Sequence, residues 1–195
     1  VNTFVTTKIT YANMLGELCE HLPGADADVV TGALGMDTRI GAKYLKAATG
    51  YGGPCFPRDN VAFATLARGL GARADLAEAT DRMNHHQIDR LTATVARHAR
   101  PGATVAVLGL SYKPDTEVVE ASQGVMLAQA LVRAGYKVMV HDPKAMPSAR
   151  RHLADAVHYA ATPAQCAAAA DVLVVATGWP QFAGLRAEDF KPAPA

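Results

Sequence analysis

The chain has 195 residues, half of them hydrophobic, with 19 basic and 18 acidic side chains. This length is enough for one large domain or two small ones with adequate cores. A net charge of +1 gives no electrostatic footprint for nucleic acid or for an anionic membrane surface. No apolar run approaches the roughly 20 residues of a membrane span, and Lys8 and Glu17 inside the first helical pattern argue against a secretory signal.

The cysteines and histidines give no sign of a metal site. Cys19, Cys55 and Cys166 form no C-x-x-C pair, which argues against a disulfide framework and a zinc site and favours a reducing cytoplasm. The adjacent His85 and His86 point apart on a helix and have no evident partner carboxylate in the sequence. They are predicted to be surface residues, and no metal is predicted.

The first hundred residues carry helical patterns. Two apolar stripes recur at three- and four-residue steps along the first 22 residues. One stripe is Phe4, Tyr11, Leu15, Leu18 and Leu22, and the other is Val5, Ile9, Ala12 and Cys19. A helix that is apolar on two sides is buried on two sides, and Pro23-Gly24 ends it. Further helices are predicted at 28–34, at about 63–70 and from 76 to about 98.

The pattern changes after Pro101-Gly102, which indicates a domain boundary. Short β-branched runs at 104–110, 136–141, 157–160 and 171–177 are predicted strands. Helices are predicted between them, one capped by Ser122, one from Pro147 and one opened by Thr162-Pro163. This alternation is typical of a parallel, doubly wound sheet. The predicted fold class is therefore α/β, with a helical domain over 1–100 followed by a Rossmann-like domain over 101–195.

The segment with the clearest chemistry is Gly50-Tyr51-Gly52-Gly53-Pro54-Cys55-Phe56-Pro57-Arg58-Asp59. Its glycines let the backbone approach a ligand closely, and its prolines stiffen the chain that carries the sulfur. Arg58 and a helix start near Asp59 favour the nucleophilic thiolate. The alternative is a Gly-rich turn with a buried, inert cysteine. The crowding of Gly, Pro and charge favours a reactive Cys55.

The loop after the first predicted strand does not match a dinucleotide site. Residues 109–116 lack the G-x-G-x-x-G spacing that seats a pyrophosphate, and Asp142 follows Gly109 at more than the usual distance of about 20 residues. The loop instead offers Tyr112, an aromatic face, and Lys113, a point charge suited to a phosphate. The alternative for Lys113 is an ordinary solvated lysine.

These segments together resemble the nucleotide-sugar 6-dehydrogenases, the family typified by UDP-glucose dehydrogenase. The matching runs are "NTFVTTKITYAN", "GADADVVTGALGMDTRIG", "KYLKAATGYGGPCFPRD", "VAVLGLSYKPDT", "VMVHDP" and "DVLVVATGWPQF". The resemblance implies a central dimerisation domain over 1–100 and a C-terminal nucleotide-sugar (UDP) binding domain over 101–195. It also implies that the N-terminal domain that binds most of the NAD is absent from this chain.

The resemblance implies a role for each candidate site residue. Cys55 is the catalytic nucleophile, and Asn2 and Asp59 hold the reacting oxygen and the hydrolytic water. The implied substrate contacts are Tyr44, Lys46, Gly52, Tyr112 and Lys113, with Arg39 reaching the substrate of a second subunit in a homodimer. Arg58 is predicted to contact the cofactor. For each Lys and Arg the alternative is an exposed surface cation.

The activity that this resemblance implies is the oxidation of UDP-glucose to UDP-glucuronate by two hydride transfers to NAD, through a thiohemiacetal and a thioester on Cys55. GDP-mannose and UDP-N-acetylhexosamines are alternative substrates. A silent nucleotide-sugar-binding and dimerisation module is an alternative of another class. An unrelated thiol enzyme is a third, although no histidine sits in an obvious catalytic motif. Glu120 stands where many relatives have an arginine that approaches the cofactor, which puts that contact in doubt.

Overall fold

The computed structural model describes residues 1–192 and divides the chain into two compact units. The first is Val1–Gln87 and the second begins at Ile88. The division lies inside the last long helix, ahead of the boundary predicted at Pro101-Gly102. Ile88, Val95 and Ala99 belong to the core of the second unit, so the end of that helix folds with the sheet that follows it.

The first unit is helical, as the sequence patterns predicted. Its helices are α1 (Asn2–Glu20), α2 (Ala27–Gly35), α3 (Phe56–Gly69) and the beginning of α4 (Asp75–His98). Helix α3 begins earlier than its apolar pattern predicted, because Pro57 lies in its first turn, where a missing N–H breaks no helical hydrogen bond. None of the helices in residues 1–192 combines the length and the hydropathy that a membrane span requires.

Helix α1 packs one face against the rest of the first unit. Ala12 is fully buried, and a Cβ atom on Gly16 would lie 2.8 Å from the Cβ of Ala47. The side chain of Asn13 accepts a hydrogen bond from the amide of Ala48 at 2.8 Å. This face therefore fixes the start of the segment that leads to Cys55.

The two histidines at the end of the first unit have carboxylate partners, contrary to the sequence-based expectation. His86 Nε2 lies 3.0 Å from a Glu17 oxygen, and His85 Nδ1 lies 3.7 Å from an Asp81 oxygen. Glu17 is distant in sequence, so only the packing of α1 near α4 reveals its pairing with His86. Both histidines are exposed, as predicted.

The second unit contains a parallel sheet, which confirms the predicted α/β class. Its strands are β1 (Thr104–Leu108), β2 (Lys137–His141), β3 (His158–Tyr159) and β4 (Val172–Val175). They lie in the order β3-β2-β1-β4, and every pair is parallel. The connecting helices are α5 (Gln123–Arg133), α6 (Met146–Leu153) and α7 (Pro163–Ala169), with short 3-10 turns at Ala154–Ala156, Pro180–Gly184 and Ala187–Asp189.

Strand β1 is the centre of this unit. Val105, Ala106, Val107 and Leu108 are fully buried, because helices cover both faces of a parallel sheet. Val105 and Val107 pack with one hydrophobic cluster, whereas Ala106 and Leu108 pack with another. The period of two along the strand thus separates the two layers of the core.

The C-terminal tail, which begins at Lys191, is held at its start. The backbone amide of Lys191 donates to the carbonyl of Ala167 at 3.2 Å, and its Nζ donates to Asp171 at 2.7 Å. The last three residues of that tail, 193–195, lie outside the described residues.

The chain passes very close to its neighbours where β1 ends. Gly109 has a φ of +94°, and a Cβ atom there would lie 2.5 Å from the Cβ of Thr177. A Cβ atom on Gly124, in the first turn of α5, would overlap the carbonyl oxygen of Gly109. Two glycines therefore let α5 and the end of β4 close around the start of the loop that follows β1.

We expect Gly109→Ala to destabilise the chain more than Gly135→Ala, measured by urea unfolding. Both glycines have a positive φ, but Gly135 has open space around its Cα. Gly135→Ala should cost only the left-handed backbone term of about 1–2 kcal/mol, whereas Gly109→Ala adds an overlap that typically costs about 1–3 kcal/mol. Equal losses of unfolding free energy would show that the close approach carries no constraint.

Candidate functional site

The segment that leads to Cys55, residues 50–55, is termed the cysteine loop. It is held by a buried asparagine of α4. Gly50 and Gly53 have φ values of +138° and +84°, conformations that favour glycine. Between them, the amide of Tyr51 donates to Asn84 Oδ1 at 2.8 Å, and Asn84 Nδ2 donates to the Tyr51 carbonyl at 3.0 Å. This pair of bonds mimics the pairing of a strand. This contact of Asn84 was not predicted, because nothing in the sequence around Asn84 indicates that it bonds to Tyr51.

Cys55 is exposed and stands at the N-cap position of α3. Unpaired amides at a helix start favour negative charge, so this position suits a thiolate. Its backbone carbonyl accepts from the amide of Asp59 at 2.8 Å. The pKa of the Arg58 guanidinium is raised chiefly by its hydrogen bond to Asp59, with a further contribution from nearby Cys55. The cation thus lies close enough to interact with the sulfur.

The carboxylate of Asp59 is gripped from two sides. Asn2 Nδ2 donates to Asp59 Oδ2 at 2.6 Å, and Arg58 donates to Oδ1 from Nε at 3.0 Å and from Nη2 at 2.9 Å. The hydrogen bond from Asn2, followed by that from Arg58, lowers the pKa of Asp59. Asp59 is therefore an ionised carboxylate with a fixed orientation, suited to accept a hydrogen bond from a water molecule. The structure brings together four predicted site residues: Asn2, Cys55, Arg58 and Asp59.

Four predicted substrate residues lie between α2 and α3: Gly52, and three residues with side chains that each have a local partner. Tyr44 has a φ of +60° and packs edge-on against Phe56, next to Cys55, with ring centroids 6.1 Å apart. Lys46 Nζ lies 3.4 Å from an Asp28 oxygen. Arg39 is bonded by two nitrogens to Asp37, at 3.0 and 2.6 Å. Of these three, the structure brings Tyr44 to the cysteine loop and pairs the two cations with carboxylates.

Lys8 supports the segment that carries Arg39, a role that the sequence analysis missed. Its Nζ donates to the carbonyls of Ile40 and Gly41, both at 2.9 Å. Both carbonyls lie in the irregular turn that follows α2. The α1 helix thus fixes the backbone beside an exposed arginine whose side chain is 88% accessible.

The loop after β1, residues 109–116, carries the other predicted substrate residues and is termed the β1 loop. The amide of Tyr112 donates to the carbonyl of Val118 at 3.0 Å. Lys113 is exposed, and its Nζ lies 5.5 Å from the centroid of the Tyr112 ring. The cation and the aromatic ring therefore lie side by side. An exposed lysine beside an aromatic face can contact both a phosphate and a ring.

Asp142, directly after β2, is fully engaged by the protein. Its two carboxylate oxygens accept hydrogen bonds from backbone amides of the β1 loop and of its own turn. Burial by itself raises the pKa of Asp142, but hydrogen bonds from the amides of Ser111, Ala145, Lys144 and Leu110 outweigh burial and lower it. These bonds thus stabilise the fold above the unfolded pKa of about 3.9, and the stabilisation is lost as the pH falls through the lower folded pKa.

This arrangement does not fit a dinucleotide at the second unit. In a Rossmann site the acidic residue after the second strand accepts the ribose hydroxyls, and the glycine-rich turn seats the pyrophosphate. Here the acidic residue is buried and bonded to the loop itself. The β1 loop instead presents Tyr112 and Lys113 side by side, and their contact with a nucleotide sugar stays a prediction.

The two units thus define an α/β protein with a thiol site in a helical unit and an aromatic-lysine loop in a parallel-sheet unit. The central domain of the UDP-glucose/GDP-mannose dehydrogenase family matches residues 1–86, and the UDP binding domain of the same family matches residues 106–194. The chain belongs to the UDP-glucose/GDP-mannose dehydrogenase family.

Named relatives agree with this assignment. The UDP-glucose 6-dehydrogenase of Rhizobium meliloti is 38% identical over 192 residues, covering 97% of this chain and 43% of the relative. The enzyme of the same name from Haloferax volcanii is 38% identical over 188 residues, covering 96% of this chain and 43% of the relative. A UDP-glucose dehydrogenase structure from Pyrobaculum islandicum has a TM-score of 0.89 and 38% identity, covering 95% of this chain and 43% of that one. The chain therefore spans less than half the length of these relatives.

Alkylation with iodoacetamide at pH 8 should separate two of the three cysteines. Cys55 is exposed, whereas Cys166 is buried and its pKa is raised to about 12 by burial, so that only about one Cys166 in 10,000 is ionised at pH 8. We expect Cys55 to react orders of magnitude faster in the folded chain, and Cys55→Ser to remove this fast phase. Equal rates of modification at Cys55 and Cys166 by mass spectrometry would contradict this description.

Proposed function

We propose that this chain supplies the catalytic thiol and the nucleotide-binding loop of an NAD-dependent nucleotide-sugar 6-dehydrogenase that oxidises UDP-glucose to UDP-glucuronate. The observation that carries the proposal is the grouping of exposed Cys55 with the ionised Asp59, which Asn2 and Arg58 orient. The family and the names of the relatives support this substrate. GDP-mannose and UDP-N-acetylhexosamines remain the alternative substrates.

The proposed chemistry of this chain begins when the sugar C6 alcohol has become an aldehyde. The Cys55 thiolate adds to the aldehyde carbon, and the carbonyl electron pair moves to oxygen, which gives the alkoxide of a thiohemiacetal. After its oxidation to a thioester, a water molecule oriented by Asp59 attacks the carbonyl carbon and the carbon–sulfur bond breaks. The acid and the Cys55 thiol are released, with the oxygen and the two protons of that water divided between them. An aldehyde has no hydride to transfer to NAD until a nucleophile or water adds, so a covalent thiol link serves the second oxidation.

The NAD that accepts the hydrides is proposed to be held mainly by a domain that this chain does not contain. The relatives are more than twice the length of the matched region, and the sheet of the second unit does not fit a dinucleotide. Arg58, in the first turn of α3, is the residue that we propose to approach the cofactor. The chain by itself would then be a silent binding module, and we place it in the reducing cytoplasm because its three cysteines are free.

Each unit carries residues that we propose to contact a nucleotide sugar. Tyr112 and Lys113 would hold the nucleotide and its phosphates, since a lysine is a point charge for phosphate and an aromatic ring offers a stacking face. Lys46 and Tyr44 would hold the pyrophosphate region, and Gly52 would let the backbone approach the sugar. Lys46 is paired with exposed Asp28 at 3.4 Å, a contact weak enough for a phosphate to replace.

In the longer enzyme that contains this chain, we expect Cys55→Ser to lower turnover by roughly two or more orders of magnitude. A serine hydroxyl ionises far less readily than a thiol, and an ester turns over more slowly than a thioester. Affinity for UDP-glucose should stay within a few-fold, because Cys55 does not touch the nucleotide in this mechanism. The measurement is steady-state production of NADH, with Cys19→Ser as the matched control. Turnover at the wild-type rate in Cys55→Ser would refute the mechanism.

We further propose that the chain forms a homodimer through α1. Of the predicted stripe Val5, Ile9, Ala12 and Cys19, only Ala12 is buried. The other stripe faces outward, with Met14 in the place expected for Leu15. The exposed fractions are 69% for Phe4, 46% for Tyr11, 37% for Met14, 52% for Leu18 and 59% for Leu22. A contiguous apolar face of this kind on a soluble chain marks an interaction surface. A second α1 would cover it in an isologous pair, and Arg39 would then be free to reach the sugar in the second subunit.

Sedimentation equilibrium at micromolar concentration should give twice the mass of one chain. Leu18→Glu should weaken the dimer by about tenfold or more, because burial of one Leu contributes about 1.5–3 kcal/mol and a buried charge opposes association. Val29→Glu is the matched control, since Val29 is 67% exposed on α2 and lies outside the stripe. A wild-type chain that is folded and monomeric would disprove the dimer and remove the cross-subunit role of Arg39.

A further inference from the structure

Asp142 connects three segments at the carboxyl edge of the parallel sheet. Its Oδ2 accepts from the amide of Leu110 at 2.7 Å, from the amide of Ser111 at 2.9 Å, from Ser111 Oγ at 3.0 Å and from Trp179 Nε1 at 3.1 Å. Its Oδ1 accepts from the amides of Lys144 at 2.9 Å and Ala145 at 2.7 Å. One buried carboxylate therefore joins the β1 loop, the turn after β2 and the segment after β4.

Ser111 is fixed by this network at every polar atom. Its amide and hydroxyl donate to Asp142, its carbonyl accepts from Thr177 Oγ1 at 2.6 Å, and its Oγ accepts from Trp179 Nε1 at 3.1 Å. Tyr112 and Lys113 follow directly along the chain. The backbone at Ser111 sets the direction in which these two residues leave the sheet.

Asp142 has no accessible acceptor site left for a ligand. A carboxylate has about four lone-pair sites, and six donors of the protein already approach its two oxygens. Asp142 is also only 1% exposed. Its influence on a bound nucleotide must therefore act through the position of the β1 loop.

We propose that Asp142 is the positioning residue of the β1 loop, which it holds in the conformation that binds the diphosphate of a nucleotide. This inference rests on the proposed function of Tyr112 and Lys113. It assigns the acidic residue after β2 a role other than the ribose contact of dinucleotide-binding sheets. Trp179, bonded to both Asp142 and Ser111, reports the state of the loop, since it is the only tryptophan of the chain.

A second contact couples Trp179 to the ligand-binding side of the loop. Lys144 Nζ lies 5.7 Å from the centroid of a Trp179 ring and 3.6 Å from Asp115 Oδ1. Asp115 is two residues beyond Lys113. A diphosphate bound at Lys113 would compete with Asp115 for the ammonium group of Lys144. A shift of that charge would change the electric field at the Trp179 indole. We therefore expect UDP to change the emission of Trp179.

The test compares Asp142→Asn with Asp171→Asn. Asp171 is the matched control because it also accepts from a backbone amide, that of Thr104 at 2.9 Å, and from Lys191 Nζ at 2.7 Å, but at the amino edge of the sheet. In Asp142→Asn, an NH2 group replaces one carboxylate oxygen and opposes the N–H donors. Both substitutions remove one negative charge, which favours an anionic ligand by electrostatics alone. A weaker affinity for UDP therefore identifies a change in geometry.

Calorimetric titration with UDP well below the melting temperatures should show affinity reduced at least tenfold in Asp142→Asn and changed less than twofold in Asp171→Asn. Without ligand, the emission of Trp179 should differ from that of the wild type in Asp142→Asn only. Ser111→Ala removes a single donor to Asp142 and serves if Asp142→Asn does not fold. It should weaken UDP binding about threefold while it retains the fold.

The outcomes separate this inference from the function on which it rests. If the wild type and Lys113→Ala differ in UDP affinity but Asp142→Asn, or Ser111→Ala in its place, binds UDP like the wild type, the positioning role is overturned and the proposed function stands. If the wild-type chain does not bind UDP, the proposed nucleotide loop is overturned, and this inference with it. Weak binding in Asp171→Asn equal to that in Asp142→Asn would also overturn the positioning role, because it would show a general loss of structure.

Discussion

Buried polar side chains that grip loop backbone hold both functional segments of this protein in place. The cysteine loop and the β1 loop contain glycines and prolines, so neither can satisfy its backbone groups in a helix or a sheet. A buried N–H or C=O without a partner costs about as much as a lost hydrogen bond. Asn84 satisfies Tyr51 in the first loop, and Asp142 satisfies Leu110 and Ser111 in the second.

The same principle extends along the first unit. Asn13 holds Ala48, ahead of the cysteine loop, and the buried Asn60 donates to the carbonyl of Ala77 at 2.8 Å. Both asparagines lie on helices, and their side chains bond to irregular backbone or to a neighbouring helix. An exposed thiol can then stand at a helix start with fixed surroundings, although the loop before it has no regular structure. Asp59 gains its fixed orientation in the same way, from Asn2 and Arg58.

The charged residues of the site show a contrast between buried and exposed groups. Asp142 has many partners in a dry place and acts as part of the framework. Arg39 and Lys46 are exposed and paired with nearby Asp37 and Asp28, contacts of small net worth in water. Such pairs hold a cation near its carboxylate only weakly, so that a ligand with a higher charge can displace the carboxylate. The buried hydrogen bonds thus fix the backbone, whereas the exposed ion pairs can be exchanged for contacts with a ligand.

The sequence by itself determined most of the elements and singled out the cysteine segment. Apolar periods of three to four residues identified the helices of the first unit, and β-branched runs between helical patterns identified the parallel sheet, because local spacing decides which faces are buried. The cysteine with its glycines, Arg58 and Asp59 stood out for the same reason, since these residues are neighbours in the chain. The two stripes of α1 were visible as well, but the covered face is the small and polar one of Thr6, Ala12, Asn13 and Gly16, which no apolar pattern marks.

Only the tertiary structure decided which distant residues serve these segments. Asn84 lies 33 residues from Tyr51 in the chain, and Asp142 lies 31 from Ser111 and 37 from Trp179. No periodic pattern marks such pairs, because their members are far apart in the chain and most of the partners are backbone groups that every residue carries. The carboxylate of Asp142 stood at the place of a cofactor ligand in the sequence. Burial and six protein donors gave it a structural task instead, and that task depends on three loops that meet only in the folded chain.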